Sequence, residues 1–486
     1  MKGRAAHAAA VVPWWPAFGL TFLLLASCAA PRPEVTPLAA LPERFSTSGG
    51  EVLSDGWWLS FDDPGLHALM DQALAGNFSL RSAWDRLTQA EAIARKSGAA
   101  LWPSATGTFE ARRTRSEVAG RSPEQVLYQS ELSLGASASY ELDLWGRVRS
   151  TRDAAALDAL ATREELQAAA ITLSAQVAAT WYALLEQRAQ VAVLERQTQA
   201  NADVLEVITA RFRGGQARAA DVLRQRQLVE SNRGSRVLAE ARVTVLEHQL
   251  AIVVGQPPGT PVAELGSTLP DLPALPATGV PADLVCHRPD LRQAYFRVRA
   301  SDQRVAAAVA DRFPRIGLGA SLNTSGEEWR DLFNNWMGTL AANVVAPLFD
   351  AGARKAEADR ARAVVSESLN SYHQAVLTAL GEVEDALAQE RHQHDYIASV
   401  DLQLELSRGT LERLRDSYLN GAVNYLDVLQ GLVSQQSLER TQLQARRELL
   451  QYRIDLCRAL GGGWEGPRPE PATLSRAERH DSTQQP

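Results

Sequence analysis

Leu132-Ser133-Leu134-Gly135-Ala136-Ser137-Ala138-Ser139-Tyr140-Glu141-Leu142-Asp143-Leu144 changes character at every residue. In an extended chain Leu132, Leu134, Ala136, Ala138, Tyr140, Leu142 and Leu144 share one face, and the serines, Gly135, Glu141 and Asp143 share the other. A second run alternates in the same way: Ala105, Gly107, Phe109 and Ala111 oppose Ser104, Thr106, Thr108, Glu110 and Arg112. Farther along, Ile316, Leu318, Ala320 and Leu322 oppose Gly317, Gly319, Ser321 and Asn323. A fourth run is less regular, with Leu340, Val344 and Leu348 on one face and Val345 breaking the polar side. The period predicts strands over 104–114, 128–145, 315–325 and 336–348. Taken alone, the pattern fits two structures equally: a transmembrane barrel, apolar toward lipid and polar toward a lumen, or a water-facing sheet packed on helices.

Helical segments surround each strand pair. Residues 147–212 contain no Pro and no Gly, and Leu166, Ala170, Leu173, Val177, Leu184, Val191 and Leu194 form a heptad-like seam. Residues 353–418 contain no Pro and only Gly381 and Gly409, and keep the same seam with Val376, Leu380, Val383, Leu387, Ile397, Leu404 and Leu411. Each run predicts a helix of roughly 100 Å, far beyond globular size, which demands a partner along its length. A Gly-containing turn follows each, at Gly214-Gly215 and at Asn420-Gly421, and then a returning helix over 221–254 or 427–460. Shorter helices over 78–101 and 289–312 open each half and end at Trp102-Pro103 and Phe313-Pro314. A returning helix and an opening helix, stacked end to end, match most of one long helix.

The order of elements repeats. Leu80-Arg81-Ser82-Ala83-Trp84 returns as Leu291-Arg292-Gln293-Ala294-Tyr295, and Asp221-Val222-Leu223 returns as Asp427-Val428-Leu429. The first half spans 57–256, the second 282–464, and a Pro-rich crossover over 257–281 joins them. The tail 465–486 is polar and reads as disordered.

The N-terminus carries Lys2 and Arg4, an apolar stretch ending in Phe22-Leu23-Leu24-Leu25, and then Ala26-Ser27-Cys28. The stretch is too short to span a bilayer and reads as a signal peptide over 1–27. Small residues ahead of a cysteine resemble the bacterial lipobox, so Cys28 is the expected lipid attachment site, followed by a linker over 28–56. Ala29 and Ala30, in place of an inner-membrane retention Asp, point to the outer membrane. Of the remaining cysteines, Cys286 and Cys457, neither is needed to hold a chain of this size.

Four strands cannot close a barrel, and an open edge in lipid leaves backbone groups unpaired. The smallest outer-membrane barrels have eight strands, so several copies must share one barrel, and three copies would supply twelve strands. Nucleic acid is not an expected partner, because the charge is −7 with both signs interspersed. No zinc-protease His-Glu-x-x-His, phosphate-binding Gly-Lys loop or Gly-x-Ser-x-Gly occurs, so no catalytic residue, metal or cofactor is expected. His392 and His394 are two apart on a helix and point away from each other.

Trp57-Trp58 with Phe61-x-Asp63-Pro64, Arg288-Pro289-Asp290-Leu291-Arg292-Gln293-Ala294, Pro347-Leu348-Phe349-Asp350 and Tyr425-Leu426-Asp427-Val428-Leu429 together resemble the outer-membrane factor family. These are the TolC-like exit ducts of tripartite efflux pumps, and the likeness is strongest to the lipoprotein branch. The resemblance implies a mainly α protein with a membrane β-barrel: a homotrimer with a twelve-stranded barrel in outer-membrane lipid and an α-helical periplasmic tunnel. It also implies work with a periplasmic adaptor and an inner-membrane pump, with small molecules as cargo. A type I protein secretion duct is the alternative on the same fold. By the same resemblance Leu426, Asp427 and Gln430 match the periplasmic gate, with Gln430 standing where many relatives carry a second acid. Gly214, Gly215 and Gly421 match the tips that meet the adaptor.

Overall fold

A computed structural model describes residues 41–50, 56–118, 125–261 and 268–462. Cys28, the signal peptide and the tail after 464 lie outside the described residues. A 3-10 turn at Trp57–Phe61 precedes α1 (Pro64–Gly76) and α2 (Phe78–Ala99). Strands β1 (Ser104–Val118) and β2 (Gln125–Leu142) lead into α3 (Arg147–Arg213) and α4 (Ala219–Val253). After the crossover come α5 (Pro281–His287), α6 (Pro289–Ala310), β3 (Arg315–Gly326) and β4 (Trp336–Val345), then α7 (Ala353–Leu419) and α8 (Tyr425–Ala459). α3 and α7 each have 67 residues, and α4 and α8 each have 35.

The long helices run unbroken because no proline interrupts the ladder, and their apolar seams find partners. α3 packs on α4 along the half nearest its C-terminus and on α2 and α6 along the other half. α7 is shared in the same way by α8 and α6. Polar side chains mark the joint of α3 with α6: Glu165 accepts from the Gln293 amide (2.9 Å) and from Arg297 (3.2 Å), and Arg292 pairs with Glu164 at 2.7 Å. An 18-residue window of α3 is apolar enough to cross a bilayer, but 61% of it is buried inside the protein. Its apolarity is used in packing.

The main core lies where α1, α2, α3, α4 and α8 meet. Trp57, Leu66, Met70, Trp181, Tyr182, Leu184 and Leu250 are almost fully buried there. Asp63 organises the entry. It caps α1 through Gly65 N–H (2.9 Å) and Leu66 N–H (3.1 Å), with Pro64 at the first helical position, and it accepts from Trp181 Nε1 (2.8 Å). This helix and the short α5 are additions to the expected elements.

The four strands form one antiparallel sheet in the order β1-β2-β3-β4. Phe109 pairs with Leu134, Ala136 with Leu322 and Ala320 with Leu340, so the apolar residues fall on a common face. No helix covers either face among the described residues, and every residue of β4 is exposed. Leu340 is 87% exposed and Val344 66%. A sheet packed on helices would hide one face behind them, whereas here only the 327–335 segment, with Trp329 stacked on Phe109, lies against the sheet.

Five strand ends differ from the alternation: β2 starts at Gln125 rather than 128, β3 ends at Gly326 rather than 325, and the other three have a local cause. β2 stops at Leu142 rather than 145, because the Asp143 carboxylate turns to accept Val148 N–H (3.0 Å) and Arg149 N–H (2.9 Å) at the start of α3. β4 stops at Val345 rather than 348, ahead of Pro347, which has no N–H to give a ladder. β1 runs on to Val118 because β2 continues to pair with it as far as Gln125.

Candidate functional site at the helix tips

Both long helices reverse by the same device. At the end of α3, Gln216 N–H donates to Arg211 O (2.8 Å) and Gly215 N–H to Phe212 O (3.0 Å). At the end of α7, Ala422 N–H donates to Ser417 O (2.8 Å) and Gly421 N–H to Tyr418 O (3.0 Å). This Schellman pairing needs a left-handed residue after the cap, and Gly215 (φ +72°) and Gly421 (φ +76°) supply it. Gly214 sits at φ −79°, which any residue can adopt, so the turn does not depend on its being glycine. All three are exposed.

α8 starts immediately after the second tip. Leu426 is 39% exposed, Gln430 is exposed, and Asp427 is half-buried between them on the first turn. The Asp427 carboxylate accepts Asn424 N–H at 3.2 Å, as Asp221 accepts Arg218 N–H at 3.2 Å at the start of α4. Each acid therefore satisfies an N–H at a helix N-terminus, where negative charge is favoured. The Gln430 side chain has no hydrogen bond among the described residues.

Behind this edge the tip is anchored by aromatic residues. The Tyr418 ring lies 5.6 Å from that of Tyr425, and the Arg211 guanidinium sits over Tyr418 at 4.8 Å. Tyr425 is buried with Ile208, Leu411, Val428 and Leu432. Its hydroxyl donates to Gln225 Oε1 at 2.5 Å. Burial, then Tyr418 and Asp221, push that hydroxyl well above the usual tyrosine pKa.

Above the apolar tip lies a knot of amides that sequence reasoning missed. Gln436 Nε2 donates to Asn201 Oδ1 (3.0 Å), and Asn201 Nδ2 donates back to Gln436 Oε1 (3.1 Å). Asn232 Nδ2 donates to the same Gln436 oxygen (3.1 Å), and Gln225 Nε2 to Asn201 O (2.7 Å). Gln197 Nε2 donates to Gln436 O (3.1 Å) and Arg440 Nη1 to Gln197 Oε1 (2.8 Å). Asn201 and Gln225 are completely buried. The signal was present: Asn201 lies seven residues after Leu194 and seven before Ile208, a polar residue in an apolar seam.

The other singled-out residues fall away from this site. Cys286 is exposed and Cys457 buried, and both are free thiols. Burial pushes the Cys457 thiol up to about 12. His392 and His394 are exposed on either side of Gln393, which is buried and donates to Ala445 O at 2.9 Å.

Comparison with known proteins agrees with this geometry. The profile of the family described as outer membrane efflux protein matches residues 69–256 and 280–462. The pyoverdine export outer membrane protein OpmQ of Pseudomonas aeruginosa is 32% identical over 92% of this chain and 96% of its own. The cation efflux system protein CusC of Escherichia coli is 27% identical over 91% of this chain and 97% of its own. The solved outer-membrane channel OprN superposes with a TM-score of 0.80 at 28% identity, covering 90% of this chain and 98% of that one. The resemblance drawn from the sequence is thus borne out at the level of the family, and the chain belongs to the outer membrane efflux proteins.

Proposed function

We propose that this family member is the exit duct of a tripartite efflux system: a homotrimer, anchored at Cys28, that offers its cargo a passage and does no chemistry on it. The observation that carries the reading is the uncovered sheet. Its apolar face has no helix against it among the described residues, only the 327–335 segment with Trp329 stacked on Phe109 at one end, and its edges, β1 and β4, are unpaired. In lipid each open backbone group costs several kcal/mol, so the sheet must be continued by other copies. Three copies supply twelve strands, with the polar face, Ser104, Thr106, Ser137 and Ser139 among it, turned to the lumen. The helices then form one tunnel below the barrel.

Leu426, Asp427 and Gln430 form the gate in this reading. Three copies of Asp427 give a collar that attracts cations and repels itself when fully ionised. Gln430 leaves a single acidic ring. The turns at Gly214-Gly215 and Gly421 are the surface offered to a periplasmic adaptor, and the energy comes from an inner-membrane pump. OpmQ and CusC are named for pyoverdine export and cation efflux, which favours small solutes as cargo. Purified full-length protein in planar bilayers should show discrete channels, and chemical cross-linking should stop at three copies. A protein that leaves the envelope without detergent and conducts nothing would overturn the reading.

A further inference from the structure

The apolar face of the sheet stops at one level, and a cleft opens there. On β2 the face carries Leu142, Tyr140, Ala138, Ala136, Leu134 and Leu132; past Leu132 it carries Ser130 and Tyr128, in register with Arg113 and Arg115 of β1. From Leu142 to Leu132 the strand rises about 33 Å, or about 25 Å along the membrane normal at a tilt of about 40°. That is the height of an outer-membrane apolar band. The change at Leu132 therefore marks the outer border of the lipid, at the end of the sheet away from the helices. We propose that the cleft at this border binds the phosphorylated sugar headgroup of an outer-leaflet glycolipid, with Arg113 and Arg330 on phosphate and Trp329 under a sugar ring. The inference rests on the barrel reading above and adds a ligand to its outer surface.

One wall of the cleft is the 327–335 segment, which folds back on the sheet after β3. Gly326 permits the reversal, since a Cβ there would meet the Asp331 carbonyl carbon at 2.8 Å. Asp331 N–H donates to Glu328 O (3.0 Å) and Asn334 N–H to Asp331 O (3.1 Å). Thr324 Oγ1 donates to Leu332 O, and both residues are 2% exposed. Trp329 stacks on Phe109, with centroids 5.5 Å apart and planes 16° from parallel, yet it stays 65% exposed. The space between this segment and the β1-β2 pair is about 540 Å³, lined by Arg113, Ser130, Leu132, Glu327, Trp329 and Arg330 among others. Ligand pockets have this size, an aromatic or apolar wall and a few polar groups.

The charges select the occupant. Arg330 holds Glu328 at 2.7 Å, Arg115 pairs with Glu117 at 3.6 Å, and Arg112, on the polar face, binds Glu110 at 3.0 Å. Arg113 forms no ion pair among the described residues, and its guanidinium lies over the Tyr128 ring at 5.5 Å. At the helix end of the sheet, by contrast, Arg147, Arg149, Arg315 and Arg354 are all paired with carboxylates. The cation left free stands at the outer border, and a guanidinium fork matches a phosphate. Glu327 also forms no ion pair among the described residues. A carboxylate in the cleft repels a bare anionic headgroup but accepts from hydroxyls, as Ser130 can. Both signs beside an open aromatic ring fit a sugar that carries phosphate better than a plain phospholipid.

The test uses the full-length protein in detergent, stripped of native lipid. It is titrated with rough-type lipopolysaccharide and, separately, with phosphatidylglycerol, which is anionic but has no sugar ring. Native mass spectrometry counts the bound lipid. Wild type should prefer lipopolysaccharide by tenfold or more. Arg113→Ala and Trp329→Ala should each weaken lipopolysaccharide binding about tenfold and leave phosphatidylglycerol nearly unchanged. Trp329→Phe, which keeps a ring on Phe109, should retain most of the affinity, and Arg115→Ala should stay within about twofold of wild type. Equal binding of the two lipids by wild type, or undiminished lipopolysaccharide binding in either alanine variant, sets the inference aside. Single-channel conductance is read on the same preparations and should be unaltered in every variant. Wild-type protein without channels would fail the barrel reading; normal channels with lipid binding indifferent to Arg113 and Trp329 would fail this inference alone.

Discussion

Arg453 grips Glu390 with two parallel bonds, Nε to Oε2 at 2.9 Å and Nη2 to Oε1 at 2.6 Å, while its Nη1 reaches Pro273 O (2.6 Å) and Ala274 O (2.8 Å). The guanidinium is 2% exposed and the carboxylate 8%. One side chain of α8 thus ties α7 and the crossover together. The crossover in turn holds residues 47–49, through Gly49 N–H to Pro276 O (3.1 Å) and Thr278 Oγ1 to Thr47 O (3.2 Å).

Breaking that pair from one side should be costly. Glu390→Ala leaves a buried cation without its partner, an effect of about 3–5 kcal/mol. Replacing both residues, as Glu390→Leu with Arg453→Met, removes both charges and should cost less, though the Pro273 and Ala274 carbonyls lose their donor. Thermal unfolding of the solubilised protein should rank Glu390→Ala below the double variant. The reverse order would mean that the bonds from Arg453 to the crossover at Pro273 and Ala274, not the charge pair, carry the stability.

The tip glycines should separate cleanly. Gly215→Ala and Gly421→Ala force a side chain into the left-handed region and should each cost about 1 kcal/mol. Gly214→Ala, at φ −79°, should be neutral or slightly stabilising. Melting midpoints of the three single variants check this, and equal losses at all three positions would contradict the turn geometry.

How far the sequence foretold this structure depends on the kind of signal. Alternation over 128–145 located β2, and the absence of Gly and Pro over 147–212 located α3, because both reflect backbone periodicity. The end of β2 was hidden, since Leu144 continues the alternation while Asp143 has been recruited to α3. α1 was hidden although Asp63-Pro64 is a good start signal, since thirteen residues give little periodicity to read. At the tips, Gly215 and Gly421 were legible because reversal requires φ > 0. Gln436 was not, because a glutamine on a helix reads as solvated until three helices are seen to converge on it.

Acid should loosen the junction between strands and helices through Asp143. Burial raises its pKa, but the backbone N–H groups of Arg149 and Val148 and the Arg149 guanidinium outweigh it, and the net pKa lies below the ordinary 3.8. A carboxyl depressed in the fold contributes its stability above about pH 4 and loses it as pH falls through the lowered value. Asp143→Asn should therefore cost about 1 kcal/mol at neutral pH, the worth of a good helix cap, and nothing near pH 2. Melting curves for wild type and variant should converge on acidification. A constant gap would show that the cap works through shape alone.

Asp427 has two jobs on this reading, and they can be separated. Its carboxylate satisfies Asn424 N–H at the start of α8, and three copies would face one another across the tunnel. Asp427→Asn retains a side-chain oxygen that can accept from Asn424 but carries no charge, so stability should change by less than about 1 kcal/mol. The collar, in contrast, acts only through charge, and its field at the axis falls with every carboxylate removed. Block by a multivalent cation such as cobalt hexammine should weaken by tenfold or more in Asp427→Asn. Gln430→Asp places a second acid one turn farther along α8, on the same exposed edge. It should tighten the block beyond wild type and make it steeper with salt, because two rings of three charges are screened together. Single-channel recordings in graded blocker and graded salt read both effects. Unchanged block in Asp427→Asn, with channels otherwise normal, would remove Asp427 from the gate and leave it a helix-capping acid like Asp221.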